Sequence, residues 1–235
     1  MSSERASFVA GLRLARARLV PWSAALSLIA PIAAGALLGA IERDATPVGA
    51  TDRALFGLFR WVLPLACAGI SGLVVGAATL RERAWPASRF GHAPWLVVGG
   101  YATALAVWSI GASVLSTVAV VGASRAGAGA GPAAPSVARE LLVTLPIAAI
   151  VGFAYASWLA LASTFGRRGQ GRAWFVAADL ALGATGVFAL VLPRGAALHL
   201  VGHDAVLGLT QRASSGLLVV MGLATLLLCG YRART

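Results

Sequence analysis

TLRERAWPASRFGHAPWLVVG (Thr79–Gly99) is the stretch that decides how this chain is read. Arg81, Glu82, Arg83 and Arg89 stand close together with Pro86 and Pro94, and long apolar runs flank them on both sides. A run that crosses a bilayer needs roughly 20 mainly apolar residues. Both neighbours meet that need, so the stretch is a short basic loop joining two membrane segments.

Composition agrees. The chain has 235 residues, of which 59% are hydrophobic and 11% charged, and its mean hydropathy is +0.83. These values lie outside the range of soluble domains and predict one all-α integral membrane domain over residues 1–235. The formal net charge of +11 does not point to nucleic acid, because the arginines cluster at the ends of apolar runs rather than along one polar face.

All nineteen basic residues are arginine. A phosphate-binding loop needs its lysine and Schiff-base chemistry needs an amine, which excludes both from this chain. No cofactor is expected here, and any ATP and Mg would be held by another polypeptide. Cys67 and Cys229 lie within apolar runs at no metal-type spacing and read as small packing residues. The N-terminal stretch lacks a short isolated apolar region with a small-residue cleavage site, so the first span is expected to serve as the insertion signal.

Six spans are predicted, at about 21–41, 61–80, 95–122, 141–164, 173–192 and 214–231. Residues 4–19 predict an amphipathic interfacial helix, with Phe8, Leu12, Ala15 and Leu19 on one stripe and Arg5, Arg13, Arg16 and Arg18 on its flanks. A frayed basic tail is the plainer alternative. Pro31, Pro64 and Pro146 fall inside spans, where neighbouring groups can satisfy the freed carbonyls. Trp22, Trp61, Trp95 and Trp174 stand at span ends as belt residues do, whereas Trp108 and Trp158 read as packing residues whose N–H needs one partner. Abundant small residues, Gly35, Gly69, Gly72 and Gly76 among them, predict a tightly packed bundle.

Arginine counts give the orientation. The N-terminus, the 81–94 loop, the 165–172 loop and the C-terminus hold twelve arginines with Glu4 and Glu82; the other loops hold seven arginines with Glu42, Asp44, Asp52, Glu140 and Asp204. The excess predicts a multi-pass protein of the cell (inner or plasma) membrane with both termini in the cytoplasm. Outside, residues 42–60 read as a short mixed-charge loop and 123–137 as a flexible Gly/Ala/Pro connector. Residues 194–212 are too polar to cross and too apolar for a solvated loop, which suggests a short re-entrant or interfacial helix before the last span.

Candidate chemistry is sparse. Asp179 is the acidic residue well inside a predicted span, and a buried carboxylate there is a candidate for the transport path, or else a hydrogen-bond acceptor for neighbouring helices. His199, His203 and Asp204 have helical spacing but make only a partial metal site, so no metal is expected; His92 adds nothing to it. Gly69-Ile70-Ser71-Gly72 resembles the serine motif of rhomboid intramembrane proteases, and His199-Leu200-Val201-Gly202 is similar to that family's histidine element. Such a dyad requires hydroxyl and imidazole at one depth, and three predicted spans separate the two motifs here, where that family has one.

Taken whole, the chain resembles the permease subunits of type-2 ABC (ATP-binding cassette) exporters. Six spans, internal termini and an amphipathic basic helix before the first span carry the likeness, together with Leu80-Arg81-Glu82-Arg83-Ala84-Trp85-Pro86-Ala87-Ser88-Arg89, which looks like that family's inner loop. Trp85 stands where the family often has a Gly-Thr pair. The resemblance implies that this loop is a coupling helix on which a separate ATPase subunit docks through Arg81, Glu82, Arg83 and Arg89. It implies a homo- or heterodimer of permeases that exports a substrate between protomers, and a chain that is not itself an enzyme. An intramembrane enzyme with Ser71 as nucleophile and a non-catalytic scaffold or assembly factor are the alternatives. No span carries a dense polar pathway, which leans towards an apolar or amphiphilic cargo.

Overall fold

The computed structural model describes residues 3–46, 48–126, 136–166, 169–204 and 208–234. Over these the chain is all-helical, and five helical segments are long and apolar enough to cross a membrane: Pro21–Ala45, Ala50–Ser88, Pro94–Arg125, Val137–Ala162 and Gln211–Arg234.

Helix α1 (Ser3–Arg18) leads into α2 (Pro21–Ala45), whose Pro21 occupies the first helical position, where a missing N–H costs nothing. The second span is composite. Helix α3 (Ala50–Gly57) passes through a π turn (Leu58–Val62) into α4 (Leu63–Val75). Pro64 explains the turn: its ring would crowd the carbonyl four residues back, at Arg60, and widening the helix there relieves the clash. Helix α4 stops at Gly76, whose φ of 72° suits only glycine. The short helix α5 (Leu80–Ser88) follows, then α6 (Pro94–Arg125), α7 (Val137–Ala162), α8 (Gln170–Leu182), α9 (Pro193–Leu200) and α10 (Gln211–Arg234).

Helix α6 is the centre of the bundle and packs against α1, α2, α4, α5, α7 and α10. Small residues set its distances. A methyl group at Gly35 or Gly39 of α2 would lie 2.8 Å from the Ser116 carbonyl or 2.7 Å from that of Val120, and one at Gly152 of α7 would lie 2.9 Å from the Ser109 carbonyl. With few apolar atoms to remove from water inside a bilayer, such close backbone approach is what holds helices together. The opposite side of α2 turns out Leu26, Ile29, Leu37 and Ile41, all exposed, as a lipid-facing surface does. Trp108 donates its indole N–H to Ser27 Oγ at 2.8 Å, and Trp158 lies against Phe175, so both interior tryptophans are packing residues.

The structure corrects four expectations. The second span begins at Ala50 rather than 61, so most of the expected 42–60 loop is helical: Thr51, Ala54, Leu55, Leu58 and Phe59 are buried while Asp52 and Arg53 point outwards. Trp61 therefore sits within that span instead of at its end, between the guanidinium groups of Arg60 and Arg194. Of the expected stripe on α1, Ala15 is buried, together with Ser7 and Gly11, while Phe8 and Leu12 are half-buried, because Gly11 and Gly100 allow α1 and α6 to touch backbone to backbone. Finally, residues 173–192 do not form one helix. Helix α8 ends at Leu182, Gly186 takes a φ of 46°, and a 3₁₀ turn (Gly186–Leu190) precedes α9. Of the expected 123–137 connector, residues 127–135 lie outside the described residues, as do Arg167 and Arg168 of the 165–172 loop and residues 205–207 of the 194–212 segment.

Both chain termini reach the end of the bundle where α6 begins. Arg234 stacks over the Trp95 ring at 4.5 Å, Arg232 donates to Thr164 Oγ1 at 3.1 Å, and Ser7 Oγ accepts the Ala93 amide at 3.1 Å and lies 3.2 Å from His92 Nδ1.

Candidate functional site

The two ends of the bundle treat their arginines differently. At the end formed by the α2–α3 and α6–α7 junctions, guanidinium groups meet carboxylates: Arg43 with Asp44, Arg53 with Glu42, and Arg125 with Glu140 at 2.6 Å. At the other end, where α1, α5 and the C-terminus gather, Arg83 and Arg172 meet carbonyls, and Arg89 and Arg234 meet aromatic rings.

Helix α5 is the clearest element there. Thr79 and Glu82 form a capping box: Thr79 Oγ1 accepts the Glu82 amide at 3.1 Å, and Glu82 Oε2 accepts the Thr79 amide at 2.7 Å. This sequence signature starts a helix at a defined residue. The Leu80 amide donates to the Ser163 carbonyl at 2.9 Å, which fixes α5 to the end of α7. Leu80, Ala84 and Ala87 face inwards, whereas Arg81, Glu82, Trp85, Pro86, Arg89 and Phe90 face outwards. Arg89 lies over the Trp85 ring at 3.9 Å, and Phe90 is 83% exposed. Of the four expected docking residues, Arg81, Glu82 and Arg89 are therefore on the surface. Arg83 is half-buried and turned inwards, donating through Nε to the Val75 carbonyl at 2.8 Å.

Arg83 has company. Arg172, at the start of α8, donates to the carbonyls of Ser71, at 3.2 Å, and Gly76. Arg18, from the end of α1, brings its guanidinium beside Gly76 as Arg83 does. The last carbonyls of α4 carry the negative end of that helix's dipole, and cations are stabilised there. Sequence placed Arg18 only on a flank of the N-terminal helix and Arg172 only in the 165–172 loop; their meeting at α4 was not read, since partners so distant in the chain leave no local pattern.

The second site lies around Asp179, which is fully buried. Its Oδ2 accepts the Tyr155 hydroxyl at 2.8 Å, and its Oδ1 accepts the backbone amide of Arg194 at 3.2 Å. The Arg194 side chain turns back to the carbonyls of Asp179 and Leu180 at the end of α8. A methyl group at Gly183 would lie 2.7 Å from Asp179 Oδ1, and one at Gly195 would lie 2.6 Å from the Gly183 carbonyl, so the junction closes only with glycine at both positions.

The remaining candidates stay apart. Ser71 Oγ lies 3.3 Å from Ser163 Oγ, while His199 Nδ1 lies 3.0 Å from the carbonyl of His203 and the His203 ring packs against Phe56. Among the described residues, no group of three or more His, Cys, Asp or Glu side chains is placed to hold a metal. No family model, curated protein or solved structure matches the chain.

Proposed function

We propose that this chain is the membrane subunit of an ATP-driven exporter, paired with a second permease protomer and driven by a separate ATPase that docks on α5 from the cytoplasm. One observation carries the reading. Helix α5 is tied on its inner side to α4 and α7, and its outer side presents Arg81, Trp85, Arg89 and Phe90. Tryptophan and arginine dominate binding hot spots, and a stiff helix between two spans passes a partner's motion to both.

In this reading the chain crosses the bilayer six times. Helices α8 and α9 form one broken crossing between α7 and α10, which accounts for the return of both termini to the same end. That end is the cytoplasmic one, where the arginines outnumber the acids. The cargo is apolar or amphiphilic, in keeping with a groove between α6 and α10 lined by Phe8, Trp95, Ala102, Phe153 and Leu227. Asp179 serves to hold the broken crossing together.

The test is copurification. Affinity-tagged protein from its native membranes should retain an ATP-binding cassette ATPase, and Trp85→Ala with Arg89→Glu should lose it while the fold persists. If no ATPase is retained, or the double variant retains it fully, the exporter reading is wrong.

A further inference from the structure

Arg18, Arg83 and Arg172 come from three elements far apart in the chain and converge on the last turn of α4. The guanidinium groups of Arg18 and Arg83 both flank Gly76, approaching within 2.6 and 2.8 Å of where a side chain at that residue would start. Arg172 binds the carbonyls of Ser71 and Gly76, and the charge that acts on it is that of Arg83, another cation. Tyr101, buried beside them on α6, lies in the field of Arg83 and Arg18.

Among the described residues, none of these three arginines forms an ion pair, whereas Arg43, Arg53 and Arg125 at the opposite end of the bundle each do. The α4 carbonyls offset part of the charge, since a helix end is equivalent to about half an elementary charge. Three full cations against that partial charge leave a strong positive excess at one point. Arg18 Nε is moreover buried with no hydrogen-bond partner, although a buried donor without an acceptor is costly. The corner is open to solvent on one side, because Ala77 is exposed and Gly76, Arg18 and Arg83 are half-buried.

We propose that this corner is a binding site for a phosphate group, held by Arg18 and Arg83 with Arg172 behind them. Guanidinium forks match phosphate oxygens in pairs, and a site assembled from several arginines selects an anion with several acceptor oxygens over a single carboxylate. The phosphate comes either from the headgroup of an anionic phospholipid, which the position at a bundle end allows, or from a soluble phosphate. The site stands whether or not α5 docks an ATPase.

The full-length protein, purified in a neutral detergent, is given two probes: phosphatidylglycerol against phosphatidylcholine in mixed micelles, and inorganic phosphate against chloride at matched ionic strength. Binding is read by native mass spectrometry and by titration of the unfolding temperature. Saturable binding of phosphatidylglycerol alone identifies a headgroup site, and saturable binding of inorganic phosphate identifies a soluble one. Arg18→Gln should weaken the bound probe roughly tenfold, the factor that about 1.4 kcal/mol represents, and Arg18→Lys should weaken it less. The first variant removes no hydrogen bond made in the unliganded protein, so its fold should persist. Arg13→Gln, exposed on the same helix, should change nothing. If neither probe binds saturably the proposal is overturned, as it is by wild-type affinity in both Arg18→Gln and Arg83→Gln.

Discussion

Asp179 and Arg194 hold one another through the backbone rather than side chain to side chain. The Asp179 carboxylate accepts the Arg194 amide at 3.2 Å, and the Arg194 guanidinium donates to the main-chain carbonyls of Asp179 and Leu180. Arg194 is the second residue of α9, so the carboxylate lies on the positive end of that helix. The guanidinium lies on the negative end of α8. Each charge thus stabilises the helix end that the other residue belongs to. A chain that breaks its helix inside apolar surroundings leaves carbonyls and amides without partners, and this exchange supplies them.

Replacing Asp179 with alanine should therefore destabilise strongly. It leaves the buried Tyr155 hydroxyl and the Arg194 amide without acceptors, and each buried donor left unsatisfied costs about 1–3 kcal/mol. Tyr155→Phe removes one donor and should cost about 1 kcal/mol. Because the two share one hydrogen bond, the double variant should lose less than the sum. Denaturation in detergent measures all three, and strict additivity would show that the Tyr155–Asp179 bond contributes nothing.

Gly183→Ala tests the same junction by steric means. The added methyl would meet Asp179 Oδ1 at 2.7 Å and Arg194 Cβ at 2.9 Å, an overpacking that costs typically about 1–3 kcal/mol. Gly216, on α10, has open space around it, and Gly216→Ala should be neutral or slightly stabilising because alanine favours helix. Equal stability of the two variants would mean that the junction yields easily.

Much of this architecture was legible in the sequence, and the parts that were not share a cause. The third span, expected at about 95–122, is α6 (Pro94–Arg125), because a proline and a charged residue bound it locally; the Thr79/Glu82 capping box that starts α5 is equally local but went unread. The start of the second span was hidden by Asp52 and Arg53, which a hydropathy reading assigns to a loop although a helix can turn them outwards while Leu55 and Phe59 stay inside. The break after Leu182 was hidden because Gly183-Ala184-Thr185-Gly186 is as apolar as a span; what breaks it is the exchange with Arg194. Asp179 was visible as an acid inside an apolar run, but Tyr155 as its partner was not. Nor was the convergence of Arg18 and Arg172 on Gly76, since sequence records no distance between residues so far apart.

Glu82 has two separable roles. As part of the cap it accepts the Thr79 amide at 2.7 Å; as an exposed carboxylate it is a charge on the outer side of α5. Glu82→Gln keeps an acceptor and removes the charge, whereas Thr79→Ala removes half of the cap and keeps the charge. The cap variant should cost about 1 kcal/mol and raise amide exchange at Glu82 and Arg83 without altering partner binding once folded. Glu82→Gln should leave exchange unchanged and, under the proposed function, weaken binding of the proposed ATPase partner. The reverse pattern would make Glu82 a structural residue only.

The number of crossings is open to direct measurement through cysteine labelling. Cys67 and Cys229 are each 1% exposed, so the native thiols give a low background with a membrane-impermeant maleimide. Single cysteines at the exposed positions Asp44, Ser136 and Arg234 and at the half-buried Ser88 sample the two ends of the bundle. If α8 and α9 together complete a crossing, Asp44→Cys and Ser136→Cys should label from outside intact cells. Ser88→Cys and Arg234→Cys should label only after the membrane is opened. Labelling of Arg234→Cys from outside together with protection of Ser88→Cys would leave five crossings and place the C-terminus across the membrane from α5. The packing of Arg234 on Trp95, close to α5 in the chain, argues against that outcome, because a residue that stacks on the first turn of α6 cannot emerge at its far end.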